Sequence, residues 1–271
     1  MDEEPAENIS GGGSGGGTVA KFDPSTAETR AEAVVDRLGE LYWQKQYGGQ
    51  DAFECLVRTI LSQNTSDKAS QPAHDALMER YGSEEDLAVA LAKATQPDLA
   101  ETISAAGLYN QKSSRIISIA ERILDEYGSA EAFDAFVSEA DPETVRKTLL
   151  ELSGVGPKTA DCVLLFAGGR DGVFPVDTHV HRIARRIGLA PVDADHERVR
   201  ESLEATVPAE KCGFGHTAMI QFGREYCSAR EPACLGDPDA CPMADLCEQN
   251  GVYPETDEVV DPGAVPEADA G

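Results

Sequence analysis

Between its two ends the chain carries apolar residues at three- and four-residue spacing almost without a break, and no stretch shows sustained strand alternation or a hairpin signal. Val34, Leu38 and Leu41 form one stripe, with Ser25 or Thr26 as the expected cap. Phe53, Leu56, Val57, Ile60 and Leu61 form the next. Ser66 should open a helix that runs to Tyr81 and stops at Gly82, and Ser83 with Asp86 reads as a capping pair for its successor. Ile116, Ile117, Ala120, Ile123 and Leu124 precede Gly128, and Asp141-Pro142 opens a helix through Leu150. Further helices are expected at 157–167, 177–187, 195–206 and 215–226. The fold class is all-α.

With 271 residues, 41% of them hydrophobic, the chain can fill one large domain or two lobes. No apolar run reaches the roughly 18 residues of a membrane helix, and the acidic, glycine-rich start is unlike a secretory signal. A cytoplasmic monomer is expected. The net charge of −26 argues at first against a nucleic-acid partner. Residues 1–24 and 248–271 carry −4 and −7, so −15 remains on residues 25–247. Either the partner is not DNA, or the protein works in strong salt, where screening shrinks to a few Å. The motifs below favour the second reading and a halophilic source.

Residues 1–24, with their GGGSGGG run, and residues 249–271, rich in proline, glycine and acids, have compositions that build no core and are expected to be disordered. Seven cysteines occur, four of them between Cys227 and Cys247. In a chain without a secretory signal such crowding points to metal ligation before disulfides. The absence of a Cys-x-x-Cys pair weakens zinc. Cys55 and Cys162 fall on apolar helical faces and read as small core residues, while Cys212 has no evident role. His74, His196 and His216 read as structural or exposed, and Trp43 should pack near the first helix.

Leu152-Ser153-Gly154-Val155-Gly156-Pro157-Lys158-Thr159-Ala160 lies between two expected helices. Its glycines allow a tight turn in which backbone N–H groups approach a ligand closely. Pro157 starts the second helix, whose N-terminus suits a phosphate. A bare Gly-x-Gly more often means an ordinary connection between helices. Here the motif is longer, and Val176-Asp177-Thr178-His179-Val180-His181-Arg182 follows it. Together the two segments resemble the helix–hairpin–helix and V-D-T-H-V-x-R signatures of the DNA glycosylase superfamily that includes endonuclease III.

The resemblance spans roughly residues 28–248. It implies a bifunctional DNA glycosylase/AP lyase of base-excision repair, removing oxidised pyrimidines and cleaving the abasic site by β-elimination. Lys158 would attack C1′ of the flipped-out damaged nucleotide and form a Schiff base. Asp177 would assist deprotonation and stabilise positive charge developing on the sugar, and His179 and His181 would order their loop. A lysine must be neutral to attack, and the first turn of a helix disfavours an ammonium. Gly154, Val155, Gly156 and Thr159 would grip the DNA backbone. Leu61-Ser62-Gln63-Asn64-Thr65-Ser66-Asp67 resembles the family's L-S-A-Q-x-T-D loop, whose glutamine fills the gap left by the flipped base. Alignment on Ser62 and Asp67 puts that position at Asn64, with Gln63 as the other candidate. Gly107-Leu108-Tyr109-Asn110-x-Lys112 matches G-L-Y-N-x-K, with Leu108 as the wedge on the opposite strand.

In such proteins four C-terminal cysteines hold a [4Fe–4S] cluster, here Cys227, Cys234, Cys241 and Cys247. The first and last intervals, six and five residues, match the family, whereas Leu235–Ala240 replaces a two-residue interval and reads as a turn insertion. Two lobes follow from the resemblance: a six-helix lobe over 45–170 with the hairpin, and a cluster lobe of 25–44 plus 171–248. Lys158 and Asp177 would face each other across a cleft binding double-stranded DNA with a damaged base or abasic site. The alternatives are a glycosylase for mismatched adenine, thymine or uracil, a non-catalytic DNA-binding iron–sulfur protein, and an electron carrier. The adenine branch usually lacks the lysine present here, and loss of Lys158 or Asp177 would have pointed to a non-catalytic protein.

Overall fold

The computed structural model describes residues 7–9, 21–44, 50–82 and 85–264. Helices dominate. The strands among the described residues are two-residue pairs: β1 (Glu7–Asn8) runs parallel to β2 (Tyr42–Trp43), and β3 (Val252–Tyr253) antiparallel to β4 (Glu258–Val259). The chain divides into two compact units, Met1–Gln46 with Asp171–Gly271, and Tyr47–Arg170.

The first unit contains α1 (Arg30–Leu41), α10 (Thr178–Ile187), α11 (His196–Thr206), α12 (Ala209–Glu225) and the single-turn α13 (Ala233–Gly236). α1 and α10 pack on α12, and α11 touches all three, around Val34, Leu38, Ile183, Leu203, Met219 and Phe222. Thr29, not Ser25 or Thr26, caps α1: its hydroxyl accepts from the Glu32 N–H, whereas Ser25 and Thr26 close a turn on Asp23. α12 begins six residues before the expected 215, because Pro208 presets its entry and Cys212 and Phe214 have core positions to fill.

Parts of both expected tails are ordered. Phe22 packs against Phe214 with the rings tilted and their centroids 4.4 Å apart, and a Cβ on Gly39 would collide with the Phe22 ring. Ile9 donates to the Trp43 carbonyl at 2.9 Å. Near the other end Val252 is buried, and Asp261 forms a two-pronged ion pair with the buried Arg185. Single anchors of this kind hold a segment whose average composition predicts disorder. The GGGSGGG run lies outside the described residues.

The second unit has eight α-helices among its described residues rather than six: α2 (Ala52–Ser62), α3 (Asp67–Tyr81), α4 (Leu87–Lys93), α5 (Gln96–Thr102), α6 (Tyr109–Tyr127), α7 (Ala130–Glu139), α8 (Pro142–Leu150) and α9 (Pro157–Phe166). α5 and α7, capped by Thr95 and Ser129, are the two helices not expected from the sequence: α5 has only seven residues, too few for a clear stripe, whereas α7 buries Ala130, Phe133 and Val137 on one face. α2 packs against α3, α7 and α9, and α6 against α4, α5 and α7. Asp86 caps α4, accepting from Ala88 and Val89; Ser83 lies outside the described residues. Gly82 ends α3 without a left-handed turn, whereas Gly128 ends α6 with one, at φ +84°. Cys55 and Cys162 are core residues of this unit, and Cys212 is one of the other. No helix among the described residues is long and apolar enough to cross a membrane.

Candidate active site and nucleic-acid interface

α8 ends at Leu150, and the chain turns through Gly154 at φ +81° into Gly156, the N-cap of α9. No side chain caps α9, so the helix N-terminus keeps amide donors for an anion. Gly154 and Gly156 are exposed and Val155 is buried, anchoring the turn. Lys158 is the second residue of α9 and half-buried, one residue beyond the helix-starting proline. Its charge reaches the buried Cys55 of α2. Thr159 is buried rather than turned to solvent, and its hydroxyl accepts from Gln63 Nε2 at 3.1 Å.

Gln63 also donates to the Gly154 carbonyl at 3.0 Å, so this side chain braces the hairpin. Its neighbour Asn64 is exposed, sits at φ +52°, and has no hydrogen-bond partner among the described residues. Leu108 sits at φ +47° with 56% of its surface exposed, at the start of α6. A non-glycine residue held in the left-handed region costs roughly 1–3 kcal/mol and persists where the surroundings impose it. Lys112 of α6 lies beneath both turns, and its ammonium donates to the Leu61 and Ala106 carbonyls and the Thr65 hydroxyl.

Arg115 extends the same face of α6 to the hairpin. A Cβ on Gly154 would fall 2.6 Å from the Arg115 Cδ and 2.7 Å from its Nε. Among the described residues Arg115 pairs with no carboxylate. Gly154→Ala therefore meets two obstacles, a left-handed backbone and the arginine stem. The expected loss is about 1–2 kcal/mol, read by thermal unfolding, with weaker duplex binding by fluorescence anisotropy. Unchanged stability and binding would show that the turn tolerates a side chain.

In the other unit Asp177 caps α10, one carboxylate oxygen accepting from the His179 and Val180 N–H groups at 2.8 Å each. His179 Nδ1 meets Arg182 Nη2 at 3.2 Å, and His181 stacks on His196 with ring centroids 3.9 Å apart. Burial lowers the pKa of both His179 and His181. These contacts order the segment.

Cys227, Cys234 and Cys241 are buried and Cys247 half-buried, and none is in a disulfide. Each of Cys234, Cys241 and Cys247 feels the charge of its companions. Burial, with their repulsion, pushes Cys247 up to about 12. The buried Arg186 guanidinium lies 3.4 Å from Cys227 Sγ and donates to the Ser228 carbonyl at 2.8 Å. The inserted Leu235–Ala240 segment folds as the end of α13 and a 3₁₀ turn at Pro238–Ala240, so the longer interval is taken up locally.

An all-α chain with a backbone hairpin opening a lysine-bearing helix defines a protein of the helix–hairpin–helix class. Residues 57–209 match the HhH-GPD superfamily of base excision DNA repair proteins. Endonuclease III of Thermotoga maritima is 33% identical over 82% of this chain and 92% of its own length. That of Bacillus subtilis is 30% identical over 80% and 91%. A solved trapped endonuclease III–DNA covalent intermediate is similar at TM-score 0.61 and 28% identity, over 75% of this chain and 86% of that one. A thermostable thymine-DNA glycosylase shares the fold at TM-score 0.64 and 21% identity, over 81% and 96%. The chain belongs to the HhH-GPD superfamily and is an endonuclease III-like DNA glycosylase.

Proposed function

We propose that this glycosylase is bifunctional: it removes oxidised pyrimidines from duplex DNA and cuts the abasic site by β-elimination, with Lys158 as nucleophile and Asp177 as the assisting carboxylate. The observation that carries the reading is Lys158 itself, an amine in the first turn behind the hairpin. The covalent intermediate solved for a similar endonuclease III supports it.

In the reaction the neutral Lys158 Nζ donates its lone pair to C1′ as the glycosidic bond breaks. The bonding pair leaves with the base, which takes up a proton, and the amine gives up one of its own. Opening of the C1′–O4′ bond yields an iminium. Loss of a C2′ proton then expels the 3′-phosphate with its bonding pair, cutting the strand, and water hydrolyses the imine to restore the lysine. Asp177 supports the cationic sugar by charge and assists the proton transfers.

Asn64 serves as the plug, because Gln63 is engaged by the hairpin while Asn64 stands exposed. Leu108 serves as the wedge. Thr159 acts through Gln63, and Gly154, Val155 and Gly156 act through their backbone. The partner is double-stranded DNA with a damaged base or abasic site. The acidity is read as adaptation to strong salt, with cations such as Arg115 reserved for phosphate.

The four cysteines fit a [4Fe–4S] cluster. Among the described residues no three His, Cys, Asp or Glu side chains could share one metal ion. A cluster takes one thiolate per iron and spreads its donors. Burial and mutual repulsion hold the Cys234, Cys241 and Cys247 thiols protonated, so four thiolates need a compensating positive core, and the Arg186 guanidinium supplies part of that charge. Held by Cys227, Cys234, Cys241 and Cys247, the cluster would supply a structural tie, and no step of the reaction is assigned to it.

Borohydride trapping tests the proposal, using an oligonucleotide with thymine glycol in high KCl. The wild type should give a covalent adduct and Lys158→Ala none. Base release without an adduct would make the enzyme monofunctional, and absence of both would remove thymine glycol as a substrate.

A further inference from the structure

Among the described residues of the Tyr47–Arg170 unit, Asn64 and Leu108 are the non-glycine residues held at positive φ, and the same buried lysine stands behind both. Lys112 is 1% exposed. Its Nζ donates to the Leu61 carbonyl at 2.7 Å, to Thr65 Oγ1 at 2.7 Å and to the Ala106 carbonyl at 2.8 Å. Leu61 lies in the last turn of α2 before the Asn64 turn, Thr65 follows Asn64, and Ala106 lies two residues before Leu108. The Thr65 hydroxyl also bonds the Ala106 carbonyl, so the two turns meet at one point. All three N–H bonds of the ammonium are used, and no carboxylate balances its charge.

A buried cation without a counter-charge is a costly way to fill space. A methionine would fill the same volume, so the ammonium is there for its donors. We propose that Lys112 is a positioning residue that fixes the separation of Asn64 and Leu108 for insertion into the duplex, a role that rests on reading those two as the inserting residues.

From α2, the 63–66 turn and the 3₁₀ turn at Ser104–Ala106, Lys112 faces two carbonyls and one hydroxyl. No ionisable side chain of α2, α3, α4, α5 or its own helix contributes to its pKa, which burial alone pushes down to about 8. A neutral amine has two N–H groups for three acceptors, so the tie loosens as pH rises through that value. Stability moves the other way. Between about 8 and the ordinary lysine value of 10.5 the unfolded chain binds more protons at this lysine than the folded one, so its contribution to stability rises with pH. Loss of insertion without loss of thermal stability marks a positioning role.

The test uses the full chain carrying Lys158→Gln, which removes the chemistry and its titration. The duplex has 2-aminopurine beside a tetrahydrofuran abasic analogue. Insertion is read as fluorescence enhancement and total binding as anisotropy, with Leu108→Ala as reference. Lys112→Met should abolish the enhancement while affinity for undamaged duplex stays within about threefold. With Lys158 intact, Lys112→Met should slow single-turnover base release on the order of 100-fold, the scale of a 1 Å misplacement. Without Lys112→Met, the enhancement should fall between about pH 7 and 9.5 while the thermal midpoint holds or rises. A Lys112→Met protein that folds and inserts normally overturns the clamp. Should that variant fail to fold, an enhancement flat across the same pH range overturns it. A duplex that binds with no enhancement at any pH, with or without Leu108→Ala, overturns the insertion reading itself.

Discussion

Asp177→Asn should lose base release by a factor of about 10² to 10⁴ and keep its fold. One carboxylate oxygen of Asp177 takes both capping amides, and the other has no partner among the described residues. Asparagine keeps the capping oxygen and is as good an N-cap as aspartate. What it removes is the negative charge and the capacity to accept a proton. The thermal midpoint should therefore stay within about 2 °C, corresponding to well under 1 kcal/mol, while single-turnover release of a damaged base collapses. Asp177→Ala separates the two roles, adding about 1 kcal/mol of lost capping to the same chemical defect. Wild-type release by Asp177→Asn would reduce Asp177 to a helix cap.

That separation shows what a sequence can and cannot reveal here. The hairpin and the V-D-T-H segment are contiguous, and their chemistry is local: φ at Gly154, a proline at the first position of α9, a cap at Asp177. The long helices were legible because a face buried on one side imposes its period on ten or more residues. Phe22 and Asp261 were not, since each orders its segment through one distant partner, Phe214 or Arg185, inside an acidic, glycine- and proline-rich background. The choice between Gln63 and Asn64 also needed three dimensions. Gln63 is occupied because Gly154 and Thr159, some 90 residues away, offer it an acceptor each. In the sequence Lys112 is the closing residue of the G-L-Y-N-x-K match and carries no role of its own. Its burial became visible only when Leu61, Thr65 and Ala106 were brought around it.

With the proposed cluster bound, replacing one cysteine of the set, Cys247→Ala, should cost both iron and much of the thermal stability. Cys227, Cys234 and Cys241 belong to the core of the first unit, and Leu235, Leu246 and Cys247 pack against that core. The 227–247 segment has little regular structure of its own, one helical turn and one 3₁₀ turn. Its placement depends on what the thiols bind, because binding free energy at a site that exists only in the folded chain is folding free energy. If several kcal/mol are lost, a protein of this size should melt more than about 10 °C lower, and limited proteolysis should cut first within residues 227–247. Cys212→Ala is the matched control, since Cys212 is fully buried in the same core and its sulfur faces the Val207 and Pro208 carbonyls. That variant should lose some packing energy and keep its brown colour. A Cys247→Ala protein with full iron, or one without iron that melts like the wild type, would separate these cysteines from any cluster or the cluster from the fold. Because the segment also carries Arg186's partners Ser228 and Ala229, its loss should loosen α10 and so shift the cap at Asp177. Base release should then fall in Cys247→Ala although no cysteine takes part in the chemistry, and Asp177→Asn should add less to that variant than it costs the wild type.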